Sequence, residues 1–208
     1  MKEIVLDHPL VTHKLSILRD KNMGTKEFRE LISEISILLC YEALKDAKMH
    51  TKTIETPLEK LKTFYINEDD YAFVPILRAG MSMVEGIINI IPNAKIGHIG
   101  LYRNEETLEP VEYYYKMPEN INKREVLILD PMLATGGSAI ATINKLKNDG
   151  VKKIKFLCII ASPEGIKNIK KAHKDVQIYA ACVDRKLNEN GYILPGLGDA
   201  GDRVYGTK

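Results

Sequence analysis

Two kinds of hydrophobic pattern alternate along this chain, and each predicts one kind of element. From Thr25 to Leu39, apolar residues recur with the i, i+3, i+4, i+7 spacing of an amphipathic helix, and the Thr25 hydroxyl is a candidate cap. A shorter helical pattern lies within residues 8–23. We expect the long helix to cover a sheet or a subunit interface with its apolar face.

Short apolar runs of strand length form the second pattern. They are residues 72–77, 126–129, 156–161 and 176–181, and a helical pattern follows each of the first three. The helix signals include Pro92 and Asp149-Gly150 as stops and Ser162-Pro163-Glu164 as a start. Repeated strand–helix units predict an α/β fold with a mostly parallel twisted sheet and helices on both faces. Pro75 argues against a central position for the first strand, because proline cannot donate to a ladder.

Residues 96–103 and 111–116 are two further strand-like runs, joined by a charged connection. A connection of this length predicts an exposed β-hairpin with a mobile tip. Residues 53–56 are a candidate edge strand, and the pattern of residues 58–71 is ambiguous.

Length and charge restrict the class of protein. A chain of 208 residues fits a single domain, with N-terminal helices over about residues 8–48 and a C-terminal segment over about residues 182–208. Lys+Arg number 30 against 28 Asp+Glu, a net charge of +2, so no nucleic acid partner is expected. We interpret the basic run at Lys145, Lys147, Lys152, Lys153 and Lys155 as a solvated edge.

Several classes of site and location have no support in the sequence. No apolar run approaches the ~18 residues of a membrane span, and the first residues meet charge too early for a signal peptide. The cysteines, Cys40, Cys158 and Cys182, lie in apolar surroundings, which predicts reduced core thiols in a cytoplasmic protein. The five histidines have no metal-ligand spacing, so structural zinc is not expected.

Candidate chemistry is concentrated where the strand at residues 126–129 ends. Asp130 closes the strand, Thr135-Gly136-Gly137 form a small-residue loop, and a helical pattern follows. A helix N-terminus after a glycine loop binds anions, and a carboxylate can accept two bonds from sugar hydroxyls. The combination indicates a ribose phosphate site. The loop lacks the P-loop lysine and the dinucleotide fingerprint, and the alternative is an ordinary strand-to-helix turn capped by Ser138.

Three further segments add to this prediction. Arg78 follows the strand at residues 72–77, so Arg78, Asp130 and Ser162 are expected at the carboxyl edge of the sheet, where ligands bind. Arg103, at the base of the hairpin, could reach a bound polyanion. Residues 191–202 are rich in glycine and poor in charge, which suits a loop whose main chain reads a flat neutral heterocycle. The alternatives are surface ion pairs for the arginines and an irregular closing loop for the last segment.

Five segments in register resemble the uracil phosphoribosyltransferases, which have the type I phosphoribosyltransferase fold. They are residues 8–11, 74–80, 102–110, 130–138 and 191–202. The resemblance runs nearly end to end and implies a flexible loop at the hairpin and a C-terminal hood over the base. One departure from the wider fold is Asp130-Pro131, where most type I enzymes have two adjacent acids.

The resemblance implies the reaction of uracil with 5-phospho-α-D-ribose 1-diphosphate (PRPP) to give UMP and diphosphate, with Mg²⁺. By position, it assigns PRPP binding to Arg78, Arg103, Asp130, Pro131, Met132, Leu133, Ala134, Thr135, Gly136, Gly137, Ser138 and Asp199. It assigns uracil binding to Ile193, Gly198, Asp199 and Ala200, and catalytic roles to Arg103, Asp130 and Asp199. It also implies a Mg²⁺ contact at Asp199, direct or through water, a homo-oligomer, and GTP as an activator, for which the sequence shows no motif.

Two alternatives remain open at this level. One is an RNA-binding regulator on the same fold, against which the small net charge and the absence of Trp argue. The other is a transferase for another base, such as hypoxanthine or orotate. No residue is identified as the general base for uracil N1.

Overall fold

The structure, a computed structural model, describes residues 3–103 and 110–207, with only the main chain of Arg103. The strands are β1 (Ile4–Val5), β2 (Met49–Glu55), β3 (Lys60–Ile66), β4 (Tyr71–Leu77), β5 (Lys95–Ile96), β6 (His98–Arg103), β7 (Pro110–Lys116), β8 (Glu125–Leu129), β9 (Met132–Leu133), β10 (Lys153–Ala161), β11 (Gln177–Val183), β12 (Lys186–Leu187) and β13 (Ile193–Leu194). The helices are α1 (Pro9–Leu18), α2 (Thr25–Ala43), α3 (Met81–Ile88), α4 (Gly137–Asn148), α5 (Pro163–Ala172) and α6 (Ala200–Tyr205).

The main sheet has the strand order β1-β11-β10-β8-β4-β6-β7, with β5 beside β4 and β9 beside β10. All of its pairings are parallel except that of β7 with β6. Helical crossovers join successive parallel strands, because such strands cannot be joined by a tight hairpin. The predicted mostly parallel α/β sheet is confirmed.

Helices cover both faces of this sheet. Residues of α1, α2, α3 and α6 form one core with Phe73, Leu127 and Leu157, whereas α4 and α5 form the other with Val74, Ile128 and Phe156. Neighbouring strand residues therefore belong to opposite cores, as the two-residue period of a strand requires. The long helix α2 packs on the sheet, which confirms that its apolar face covers strands.

Helix limits agree with the sequence signals at most ends. The α5 helix begins at Pro163, and the Ser162 hydroxyl accepts a hydrogen bond from the Gly165 N–H (2.9 Å). The α4 helix stops at Asn148 before Gly150, whose φ is +85°. The cap predicted at Thr25 is wrong. Gly24 holds that position, because its backbone is still extended while its carbonyl already accepts a hydrogen bond from the Phe28 N–H (3.0 Å).

The expectation that Pro75 lies at an edge is also wrong, because β4 lies between β8 and β6. The Phe73 carbonyl accepts from the Gly97 N–H, so Phe73 and Pro75, two residues apart, both direct their polar groups towards the β5–β6 side. On that side β5 pairs with residues 72–73 and β6 only with residues 76–77. Pro75 therefore faces the break between two short strands, where no ladder donor is required.

Lys155 corrects the interpretation of the basic run as a solvated edge. Its side chain is 6% exposed, and its Nζ lies 2.5 Å from Asp46 Oδ1, 2.7 Å from Glu125 Oε1 and 2.6 Å from the Ala43 carbonyl oxygen. Lys152 and Lys153 are exposed as expected. The central strand β10 carries Lys155 beneath α2, where three acceptors replace its water shell.

The remaining segments include two hairpins. The candidate edge strand lies in β2, which pairs with β3 in a separate two-stranded sheet rather than at an edge of the main sheet. The hairpin β6–β7 is confirmed, whereas its predicted mobile tip, residues 104–109, lies outside the described residues. Cys40, Cys158 and Cys182 are free thiols, as predicted. Among the described residues, no helix has the length and apolarity to cross a membrane.

Candidate active site

Three adjacent strands deliver the predicted polar residues to one edge of the sheet. Arg78 follows β4, Asp130 follows β8 and Ser162 follows β10, and these strands are neighbours in the order β10-β8-β4. The carboxyl ends of parallel strands open a crevice in which ligands bind. This prediction of a shared edge is confirmed.

The loop after Asp130 forms a fixed path into α4. Gly136 has φ +85° and stands before the first helical residue, Gly137, so Gly136 holds the cap position and Ser138 does not. The cap considered at Ser138 is therefore wrong. The Thr135 carbonyl accepts from Asn168 Nδ2 (3.0 Å), and the Ala134 carbonyl accepts from Ser162 Oγ (2.6 Å). The first-turn N–H groups of α4 have no partner within the helix, which leaves them for an anion.

Asp130 is a partly buried carboxyl group that accepts a hydrogen bond from the main chain. Its Oδ1 accepts from the Met132 N–H (3.2 Å). Burial raises the pKa of Asp130 from its usual 3.8 to about 7, and the Met132 N–H opposes that shift only in part. The group therefore titrates near neutral pH, as do many carboxyl groups in binding sites.

This raised pKa predicts a pH dependence of stability. A carboxyl group that binds its proton more tightly in the folded state contributes stability fully below pH 3.8, and that contribution is lost as pH rises towards 7. Asp130→Asn should therefore be more stable than the wild type at pH 8, by roughly 2–4 kcal/mol. At pH 4 the free energies of unfolding of the two proteins should be nearly equal. Urea unfolding at both pH values measures the difference, and an equal gap at both would contradict the assignment.

The C-terminal segment folds back over the same edge. Gly196 and Gly198 have φ of +58° and +83°, and Asp199 caps α6 by accepting from the Asp202 N–H through Oδ1 (2.9 Å). The Tyr205 hydroxyl donates to the Arg78 carbonyl (3.0 Å), which joins α6 to the turn after β4. The segment is an ordered loop, as its composition predicted, and we call residues 191–202 the hood.

A cavity of about 290 Å³ lies between the hood and the Asp130 loop. Its lining residues are Ala79, Asp130, Met132, Ala134, Asn190, Gly191, Tyr192, Ile193, Gly198, Asp199, Ala200 and Gly201. The volume is near the lower end for small-molecule sites. The fold thus brings three residues expected to bind PRPP, Asp130, Met132 and Ala134, against all four expected at the base.

Other predicted site residues lie outside this lining. The Arg78 guanidinium is 58% exposed, with Nη2 3.7 Å from Asp202 Oδ1 and its Cζ 5.8 Å from the centre of the Tyr205 ring. Pro131 and Leu133 are buried, and the Pro131 carbonyl accepts from two N–H groups of β10. Thr135, Gly136, Gly137 and Ser138 lie further along the loop, at the start of α4. The Arg103 side chain lies outside the described residues.

The lining includes five residues to which the sequence assigned no role. Ala79 adjoins Arg78, and Gly191, Tyr192 and Gly201 fall in the glycine-rich segment, so their motifs were a signal for them. Asn190 had no such signal, because it enters the cavity from the turn between β12 and β13.

The two carboxylates of the cavity could bind a metal ion only together with other ligands. Within residues 3–103 and 110–207, no group of three or more His, Cys, Asp or Glu side chains could hold a metal. Asp130 and Asp199 both line the cavity. Mg²⁺ commonly binds through one or two carboxylates together with substrate phosphates and water. The residues therefore fit a Mg²⁺ ion that is held jointly with a phosphorylated substrate.

Comparison with known proteins identifies the family of this chain. The family model described as uracil phosphoribosyltransferase matches residues 5–207. The uracil phosphoribosyltransferase of Dictyoglomus thermophilum is 60% identical over 205 residues, covering 99% of both chains. That of Geobacillus sp. strain WCH70 is 56% identical over 207 residues, covering 100% of this chain and 99% of the relative.

Two solved structures are similar to this chain in fold. The AQ2163 protein from Aquifex aeolicus is 44% identical, with a TM-score of 0.93 and 98% of both chains covered. A hypoxanthine-guanine phosphoribosyltransferase from Bacillus anthracis, 15% identical, has a TM-score of 0.53 over 77% of this chain and 80% of its own, and shares the fold alone. With a family model over nearly all of its length and relatives above half identity, this chain belongs to the uracil phosphoribosyltransferase family of enzymes.

Proposed function

We propose that this enzyme transfers the phosphoribosyl group of PRPP to uracil, giving UMP and diphosphate. The observation that carries the proposal is the cavity whose one wall is the Asp130 loop and whose other wall is the glycine-rich hood. A ribose phosphate at the first wall and a flat base at the second would meet at the bond that forms. Family membership supports the same assignment.

The ribose 5-phosphate would bind where the loop enters α4. N–H groups at Gly137 and Ser138 lie in the first helical turn, and Gly136 leaves room for close approach. Asp130, once ionised, would accept hydrogen bonds from the ribose hydroxyls. As the bond to diphosphate breaks, positive charge develops on the ribose, and the carboxylates of Asp130 and Asp199 would stabilise it.

The diphosphate requires positive charge at the rim of the cavity. Arg78 is exposed beside Asp202 and Tyr205, from where its side chain would turn towards the diphosphate. Arg103 ends the strand β6. When bound, Mg²⁺ would supply further positive charge for the leaving diphosphate, with Asp199 and Asp130 as the protein carboxylates available to hold it. Two guanidiniums suit this role because each can form paired hydrogen bonds with phosphate oxygens.

Uracil would be read by the main chain of Ile193, Gly198 and Ala200. The Ala200 N–H belongs to the first turn of α6, where it has no partner within the helix. The O4 atom of uracil accepts a hydrogen bond, whereas the amino group of cytosine donates one. A buried main-chain group left without a partner by the wrong base gives strong discrimination.

Location, domain organisation, oligomeric state and regulation complete the proposal. We place the enzyme in the cytoplasm on its free thiols. We treat residues 1–208 as a single phosphoribosyltransferase domain. A homo-oligomeric state and activation by GTP stay predictions of the resemblance.

Turnover assays test the proposal. Purified protein with PRPP and Mg²⁺ should form UMP from uracil, whereas cytosine, orotate and hypoxanthine should give little or no product. Chromatographic separation of the nucleotides measures each reaction. A folded sample that converts another base better than uracil, or converts none, would refute the proposed function.

Removing the hairpin guanidinium should impair diphosphate handling. Arg103→Ala is expected to raise the KM for PRPP about tenfold and to lower kcat, because one charge-assisted contact is lost. The KM for uracil should change little. Lys116→Ala, on the other strand of the same hairpin, is the control. Unchanged kinetics in Arg103→Ala would remove this residue from the site.

A further inference from the structure

An ion pair lies directly behind the base-reading hood. Arg19 follows α1 and Asp184 follows β11. The two residues are 165 positions apart in the chain. Arg19 Nη1 lies 2.8 Å from Asp184 Oδ2, and Nη2 lies 2.7 Å from Oδ1. The Asp184 side chain is 7% exposed and that of Arg19 is 25% exposed. This two-point geometry fixes the orientation of both groups.

The pair holds both main-chain polar groups of a single residue in the hood, Gly196. Arg19 Nη1 donates to the Gly196 carbonyl (2.8 Å), and the Gly196 N–H donates to Asp184 Oδ2 (2.8 Å). Gly196 has φ +58°, and a Cβ there would lie 2.1 Å from the Ile193 carbonyl oxygen. The ion pair therefore fixes, by two hydrogen bonds, a sterically crowded residue in the turn that joins Ile193 to Gly198.

A second arginine holds the next residue of the same turn. Arg203 Nη1 donates to the Leu197 carbonyl and to the Leu18 carbonyl, each at 3.0 Å. The end of α1 is thus attached to two consecutive residues of the hood. Between these anchors and Ala200 lie Gly198 and Asp199, which line the cavity.

Asp184 carries its charge despite its burial. Burial by itself would raise the pKa of Asp184, but hydrogen bonds from Arg19 and from the Gly196 N–H outweigh that effect and lower it. A buried ion pair of this kind adds little net stability compared with apolar side chains of similar volume. Its distinctive contribution is directional, since it specifies where a backbone carbonyl and a backbone N–H must lie.

Neither partner lines the cavity between the hood and the Asp130 loop. Arg19 lines a separate cavity of about 500 Å³, which shares Gly198 and Asp199 with the first. Its hydrogen bond to the hood is the one to the Gly196 carbonyl, so we expect Arg19 to influence the base through the turn.

We propose that Arg19 and Asp184 are positioning residues for the base: by holding Gly196, they set the main-chain geometry with which the hood recognises uracil. This inference rests on the proposed function. It predicts that loss of the pair weakens binding and discrimination of the base and leaves the ribose phosphate site intact.

Steady-state kinetics of Arg19→Gln, Asp184→Asn and the double variant test the proposal. Each single variant should raise the KM for uracil about tenfold or more, because hydrogen bonds to charged groups are lost. The KM for PRPP should change by less than about twofold, and preference for uracil over cytosine should fall. Because both residues act on Gly196, the KM of the double variant for uracil should be no higher than that of the more impaired single variant.

Lys155→Met is the matched control. It removes another buried ion pair, near the amino ends of the strands, and should leave the KM for uracil unchanged even if it lowers the melting temperature. KM does not depend on the fraction of protein that is folded, so moderate destabilisation does not obscure the result.

The outcomes separate cleanly. If the wild type forms no UMP, the proposed function itself fails. If the wild type is active and both single variants keep the wild-type KM for uracil, or raise both KM values in parallel, the positioning role is refuted. A rise for uracil alone in both single variants, absent in Lys155→Met, supports it.

Discussion

Asp130→Asn is expected to lower kcat by about 10²–10³-fold while the protein stays folded. Asparagine matches the shape of aspartate, and its carbonyl oxygen can still accept from the Met132 N–H. The substitution removes the negative charge that would stabilise a cationic ribose, and it replaces one acceptor oxygen with an amide donor. Steady-state kinetics at saturating PRPP and uracil, with a thermal melt of the same sample, measure the effect.

The pH profile sharpens this prediction. Because the pKa of Asp130 is about 7, kcat/KM for PRPP in the wild type should rise with pH through the neutral range as the carboxyl group ionises. That limb should be absent in Asp130→Asn. Asp175→Asn, which alters a surface carboxylate paired with Lys147, is the control and should keep the wild-type rate. A near-normal rate for Asp130→Asn would exclude Asp130 from catalysis.

Gly80→Ala is expected to destabilise the protein by about 3 kcal/mol or more. A Cβ at this position would lie 2.3 Å from the Leu129 carbonyl oxygen and 2.7 Å from the Ile76 N and O atoms. All three are main-chain atoms of β4 and β8, so no side-chain rotation can relieve the contact. The ends of the two strands would separate next to Asp130, and activity should fall with stability.

Urea unfolding compares Gly80→Ala with a matched glycine. A Cβ at Gly137 would meet only Thr135 Oγ1, at 3.8 Å, so Gly137→Ala should leave the free energy of unfolding unchanged or raise it slightly. If both variants unfolded at the same urea concentration, the claim that close main-chain packing requires glycine at position 80 would be wrong.

Much of the fold could be predicted because its signals are local. The apolar spacing in α2, the Ser162-Pro163 start of α5 and the stop at Gly150 each depend on a few consecutive residues. The expected edge carrying Arg78, Asp130 and Ser162 followed from strand direction alone, once the parallel sheet was assigned. Pro75 was misplaced because its acceptability depends on a break between β5 and β6, which belong to another part of the chain.

The candidate site was predicted less completely, for a similar reason. The motifs identified the residues around Asp130 and in the hood, but not that Asp130, Met132 and Ala134 share a cavity with Asn190. Burial of Asp130 and of Lys155 has no linear signature, because each environment is built from distant elements.

By itself, the sequence determined the α/β class, the order of its main strand–helix units along the chain, the two loops in which the chemistry is predicted and the family resemblance. These properties follow from periodicity, turn residues and motif spacing, which act over short stretches of chain. Only the tertiary structure decided which side chains are buried, which carboxyl group titrates near neutrality, and that Arg19 and Asp184 meet behind the base-reading turn. Those properties arise from contacts between segments that strand register and helix packing bring together.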